Sequence, residues 1–274
     1  MMKSARLRTV ILYAVMTVYV TLVSLPLLWM AISALKTNRE IFANPFGLPA
    51  APQWSNFVDA WREGVAGYFL NSVLVTGVSV VLIVLVSTLA AYALSRLRFV
   101  GRTWIYLLFI AGYAIPLHTV LVPLYQSLNK TNLLNTWPGL IGPYVAFAIP
   151  FSVMLLYSFF VDFPTELEEA ARLDGCNTWQ MLFHVVLPLS KPGMATVAIF
   201  QGVFIWNEFL LALLVITDDK LKTLPLGLTA FQGRWAANIP LMMAALTLAT
   251  APMLLLYIVL QRQFTHSLAG FSKG

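Results

Sequence analysis

"EEAARLDGCNTWQMLFHVVLPLS", residues 168–190, lies between long apolar stretches, yet it opens with acids and carries the punctuation of short helices. Pro164 precedes Thr165, and Thr165 with Glu168 three residues later fits the reciprocal capping pattern of a helix start. Glu166, Glu168 and Glu169 fall in the first turn, where the helix dipole favours negative charge. Gly175 stands where a C-terminal cap is wanted. The spacing predicts a helix over about 165–174. Leu167, Ala170, Ala171 and Asp174 share one face of it, and the two alanines make that face thin enough for close approach by another protein. A second helix is expected from Asn177, with Gln180 in the capping position and Trp179, Leu182, Phe183 and Val186 at helical spacing. Pro188 is expected to end it, and Lys191-Pro192-Gly193 to turn the chain back. On these residues alone, the pair reads equally as a docking surface or as an interfacial loop packed on its own neighbours.

The surroundings decide the fold class. In 274 residues, 59% are apolar and only 10% charged, and the mean hydropathy is +0.80, far outside the soluble range. About 20 apolar residues cover the hydrocarbon core of a bilayer as a helix. The charge-free stretches 9–35, 64–95, 103–129, 131–161 and 235–261 supply five spans. A sixth runs over about 192–217, interrupted only by Glu208. The expectation is all-α: a polytopic membrane protein with about six spans, because only helices satisfy every backbone group within such segments. The basic start at Lys3, Arg6 and Arg8 resembles a secretory signal, but the length of the first stretch and the spans after it keep it in the membrane.

Basic residues set the orientation. With the N-terminus inside, 10 of the 17 Lys and Arg fall inside, most sharply in "SRLRFVGR", where Arg96, Arg98 and Arg102 face no acid. Both termini and the 168–190 segment are then cytoplasmic. The net charge of +6 calls for no nucleic acid, since basic flanks beside anionic lipid headgroups account for it. The loop over about 36–66, rich in Pro, Asn and aromatics, reads as an ordered external cap. No repeat of 20–50 residues is visible. The single cysteine, Cys176, reads as an apolar filler. His184 and His266 have no ligand partners at metal spacing, so no metal site and no catalytic constellation are expected.

Further motifs narrow the reading. "EAARLDGCNTWQMLFHVVLP" resembles the EAA motif of bacterial ABC importer permeases, with Glu169, Ala170, Ala171, Gly175, Val185, Leu187 and Pro188 in its places and Val185 where isoleucine is usual. "NSVLVTGVSVVLIVLVSTLAAYALSRLRFVGR", "IPLHTVLVPLYQSLNKTNLLNTWPGLIGPY", "WNEFLLALLVI" and the tail "LQRQFTHSLAGFSKG" are similar to the MalG-like subunit of the maltose-transporter type. The likeness covers most of the chain from Asn71 onward. His118 departs from it, standing where glutamine is expected two residues after Pro116.

The resemblance implies one transmembrane domain over 1–274, with a core permease region at about 67–262 and a cytoplasmic coupling loop at 162–192. It implies a half-channel with four kinds of partner: a homologous MalF-like permease subunit, two copies of a cytoplasmic ATPase, an extracytoplasmic sugar-binding protein, and membrane lipid. ATP and Mg would sit on the ATPase, since no phosphate-binding loop occurs in this chain; no cofactor is expected here. Glu169, Ala170, Ala171, Asp174, Gly175, Leu187 and Pro188 are the expected coupling residues.

Glu208 is the only carboxylate inside an expected span and sits beside Trp206 and Asn207, a set able to stack on a sugar ring and bond its hydroxyls. Gln201 and Phe204 are expected to share its helix face, and His118 to stand where a helix is broken near Pro116. These six are the substrate-pathway candidates, each weighed against packing or a subunit-interface role. The cargo expected is a di- or oligosaccharide, with amino sugars, polyols or glycerol phosphates as alternatives. An ion-coupled secondary transporter would instead show acids in several spans.

Overall fold

The structure, a computed structural model, describes residues 2–162, 166–235 and 237–271, and side chains at 8–162, 166–235, 237–256 and 258. The expected Pro164–Thr165 start of the short helix lies outside the described residues. The chain divides into two compact units, Met1–Gly67 with Gly227–Leu254 and Tyr68–Leu226 with Leu255–Gly274.

In the first unit, helix α1 (Met2–Ala34) holds a 27-residue apolar stretch, Arg8–Ala34, whose most apolar window is 0% buried. Such a surface is stable only against hydrocarbon or another apolar protein. The loop that follows is ordered, as its composition suggests. Lys36 is fully buried, and its ammonium donates to the carbonyls of Asn44 and Pro45 at 3.1 and 2.9 Å. Helix α2 (Asn38–Ala43) carries a reciprocal cap between Thr37 and Glu40. The Asn38 amide closes a turn by donating to Ala237 and accepting from the Ile239 N–H. Helix α3 (Ser55–Ala60) runs through a π-helical turn, Trp61–Val65, with Gly64 at φ 139°.

Unit two is built round α4 (Ala66–Arg96) and α7 (Trp137–Val161). Val75, Ile83, Ala91 and Tyr92 of α4 join Leu140, Tyr144, Leu156 and Phe160 of α7 in one buried cluster. Helix α5 (Arg102–Tyr113) packs on α7 through stacked Tyr106 and Tyr157, ring centroids 4.2 Å apart. Short helices α8 (Glu166–Leu173), α9 (Thr178–Gln180) and α10 (Leu187–Leu189) lead into α11 (Lys191–Trp206), then α12 (Leu210–Val215). Helix α13 (Leu224–Trp235) and helix α14 (Ile239–Phe271) complete the chain. No strand occurs among the described residues, and the all-α polytopic class stands.

Among the described residues, four helices are long and apolar enough to cross a membrane, or up to six if each bent pair is one span. Three expected spans are therefore reshaped. The stretch 103–129 is α5 followed by α6 (Leu117–Lys130) at 97°, because Pro116 lacks an N–H and pushes Ile115 out of helical geometry. The stretch 131–161 becomes helical only at Trp137, after Asn132 and Asn135 have turned the chain at φ 56° and 55°. The stretch 192–217 breaks after Trp206, and residues 207–209 separate α11 from α12.

The end of the 168–190 segment also differs. Pro188 does not stop the helix, which continues to Leu189. A π-helical turn, Met181–Val186, precedes it, and a widened turn loosens the contact that proline would make with the preceding turn. Lys191-Pro192-Gly193 is the first turn of α11, where a missing proline N–H costs nothing, and the 67° bend falls at Ser190.

Candidate coupling surface and pathway wall

Helix α8 faces two ways. Glu168 points inward, 5% exposed, and its Oε1 lies 2.9 Å from Nε of Arg96, the last residue of α4. The two meet as charges rather than in hydrogen-bond alignment at Nε. Ala171 packs half-buried against the apolar cluster, so of the two alanines only Ala170 is outward. Leu167, Glu169, Leu173 and Asp174 are exposed with it, Leu173 at 89%.

Helix α8 ends as its sequence suggests. Gly175 adopts φ 85°, its N–H donating to Arg172 O, and Cys176 N–H donates to Ala171 O. A side chain at that left-handed position would be strained, which gives the glycine its reason. Helix α9 begins on the expected box: the Asn177 side chain accepts from Gln180 N–H while the Gln180 side chain accepts from Asn177 N–H, both at 2.9 Å. Leu182 and Val186 are buried, whereas Trp179 and Phe183 stack on each other in the open, centroids 6.3 Å apart. Leu187 packs on the cluster and Pro188 is exposed. Among the described residues, Leu167, Ala170, Leu173, Trp179 and Phe183 of the segment are exposed, and so is Glu169.

The pathway candidates separate into two sets. Glu208 is 8% exposed, and Tyr144 O–H donates to its Oε2 at 2.7 Å. The N–H groups of Leu211 and Ala212 donate to its Oε1 and Oε2 at 2.8 and 3.3 Å. Its carboxylate caps the start of α12 and ties it to α7. Gln201 is also buried, its amide donating to Ser152 Oγ at 3.1 Å. Trp206 is 8% exposed, edge-on to Phe69 at 5.7 Å. Phe204, Asn207 and His118 are exposed instead. Of the three residues expected to share a face, Gln201 and Glu208 are buried while Phe204 lies on the exposed side of α11, and Glu208 falls beyond the helix end at Trp206.

Two features escaped sequence reasoning. One is the pairing of Glu168 with Arg96, which lie 72 residues apart; the unusual doubling of glutamates before the alanines was its only trace. The other is Asn135, whose side chain accepts from the N–H groups of Thr217 and Asp218 and donates to Thr217 Oγ1 at 2.6 Å. Among the described residues, no group of three or more His, Cys, Asp or Glu could hold a metal ion.

Long apolar helices joined by a short polar helix define a polytopic membrane protein. The pattern of the family described as binding-protein-dependent transport system inner membrane component matches residues 83–270, and the chain belongs to that family. It is 39% identical over 260 residues to the diacetylchitobiose uptake system permease protein NgcG of Streptomyces coelicolor, covering 94% of this chain and 86% of that one. The sulfoquinovosyl glycerol transport system permease protein SmoH of Agrobacterium fabrum is 40% identical, over 91% of this chain and 88% of its own. Among solved structures, a bacterial ABC transporter involved in alginate import superposes with a TM-score of 0.83, covering 94% and 97% of the two chains at 21% identity. The chain is thus a multi-pass membrane permease of the ABC importer type.

Proposed function

We propose that this chain forms half of the translocation pathway of an ATP-driven importer for a sugar of the di- or oligosaccharide class. The observation that carries the reading is the uncovered face of α8 and α9. An apolar patch on a short helix that the described residues leave open is a seat for a partner. The partner proposed is a cytoplasmic ATPase, two copies of which bind ATP and Mg and serve this chain and a homologous MalF-like permease. In this arrangement both termini and residues 162–192 are cytoplasmic, and a sugar-binding protein delivers cargo from outside.

Glu169 pairs with a basic group in the ATPase cleft, Ala170 permits the close approach, and Asp174 borders the contact. Gly175, Leu187 and Pro188 hold the segment's shape. Closing of the ATPase dimer displaces α8 and exposes the sugar site alternately to the two sides. The exposed Phe204, Asn207 and His118 are the residues proposed to face cargo: an aromatic plane and polar groups suit a sugar ring and its hydroxyls. Gln201, Trp206 and Glu208 hold the wall behind them. The names of NgcG and SmoH, both concerned with glycosides, support the sugar class.

The test is uptake into vesicles carrying this chain with its partner permease, ATPase and binding protein, offered diacetylchitobiose, maltose, raffinose and glycerol 3-phosphate in turn. The expected result is ATP-dependent uptake of a glycoside, with Glu169→Ala and Ala170→Asp reducing it at least tenfold while the two permeases still co-purify. Uptake that needs no ATPase and follows an ion gradient overturns the reading.

A further inference from the structure

Within the second unit, helix α8 is fastened by an apolar underside and by a charge pair with the end of α4. The pair joins Glu168 to Arg96 at 2.9 Å, with side chains 7% and 10% exposed. Arg96 ends α4, a helix without proline whose other end is gripped just as firmly. There, Tyr68 O–H donates to the Asp219 carboxylate, 3.1 Å from each oxygen. The Asn71 amide donates to the carbonyls of Lys220 and Lys222 at 2.8 and 2.9 Å. Ser72 Oγ accepts from the Leu224 N–H at 2.7 Å. Between Tyr68 and Arg96 runs about 42 Å of continuous helix. One rod therefore touches α8 at one end and the 218–224 loop at the other.

We infer that the Arg96–Glu168 pair is a strut: it passes a displacement of α8 to α4 and, along α4, to the 218–224 loop. This rests on α8 being the part the ATPase moves. An apolar contact slides at little cost, whereas a sheltered pair of opposite charges resists separation over several ångströms. A continuous helix is a rigid element able to carry that movement. Glu168 and Glu169 then divide the work. Glu169 faces the motor, and Glu168 is a positioning residue that transmits what the motor does.

The experiment uses the full complex in vesicles, with Cys176→Ser and Lys220→Cys in this chain. The Lys220 side chain is exposed, and only its backbone takes part in the grip. The rate at which a membrane-impermeant maleimide labels position 220 is compared with and without ATP plus vanadate. The expected result is a severalfold change in rate on trapping. Glu168→Gln should reduce that change at least fivefold per assembled complex while basal ATP hydrolysis persists. Arg96→Lys should keep most of it, and Arg96→Glu with Glu168→Arg should restore part of what each reversal alone removes.

A wild-type response in Glu168→Gln overturns the strut. So does a loss that merely follows the amount of complex recovered, or a position 220 that never responds in a transporting complex. If the wild-type complex imports without an ATPase, the coupling reading itself fails and the strut falls with it.

Discussion

At its Tyr68 end, α4 holds the 218–224 loop with directed hydrogen bonds, most of them to backbone groups, and Asn135 fixes Thr217 and Asp218 at the start of that loop in the same manner. At its Arg96 end, it meets α8 through an ion pair above an apolar bed. Directed bonds to backbone define one geometry and fail abruptly when displaced. Charges attract over a longer range, and apolar side chains repack with small cost. One end of the rod is shaped to keep its contacts in place; the other, under the proposed coupling, keeps its contacts while α8 is moved.

The largest effect expected on this contrast comes from Glu168→Ala, which removes the carboxylate paired with the sheltered Arg96. The loss is about 3–5 kcal/mol, read as a drop in the melting temperature of the purified permease. Glu169→Ala, on the open face, should shift stability by no more than about 0.5 kcal/mol while impairing transport. Equal stability losses for the two would erase the distinction between inward and outward glutamates.

Next in size is Glu208→Leu, which strips partners from Tyr144 O–H and two N–H groups of α12. A loss of roughly 1–3 kcal/mol is expected, with faster hydrogen exchange at Leu211 and Ala212. If stability holds and only sugar uptake falls, the carboxylate is a cargo group and not a clasp. Asn135→Ala should cost less, about 1 kcal/mol, because water can reach the exposed Thr217 and Asp218 amides. Quicker exchange confined to those two amides is the signature.

The smallest effect concerns pH at the ordered loop of the first unit. Glu40 is held below its ordinary carboxyl range, first by the Thr37 N–H, then by the Ala50 N–H and the Thr37 hydroxyl. A lowered folded value means that its stabilisation is complete above the ordinary range and is lost as pH falls through the lowered one. Proteolysis of the 44–54 stretch should therefore quicken only in acid, and Glu40→Gln should remove that dependence.

Much of this was legible without coordinates. Spans follow from solvent, since a bilayer admits only long apolar helices. The caps at Asn177–Gln180 and Gly175 follow from local chemistry, since their partners lie within a few residues. The breaks at Pro116 and after Trp206 were harder to see, because a short gap between two apolar helices looks the same as a continuous one when only composition is read. The direction of Ala171, turned toward its own core, likewise depended on which face of α8 found the cluster.

By itself, the sequence determined the membrane class, the family motif and the presence of a short capped helix, all properties of solvent preference and of neighbours within one or two turns. Only the tertiary structure decided which glutamate of the pair faces inward, that Glu208 serves α12 and Tyr144, and that α4 links the 218–224 loop to α8. Apart from the local bonds of Glu208 to Leu211 and Ala212, those outcomes depend on contacts between residues 64 to 152 positions apart, and helical periodicity carries no information over such separations.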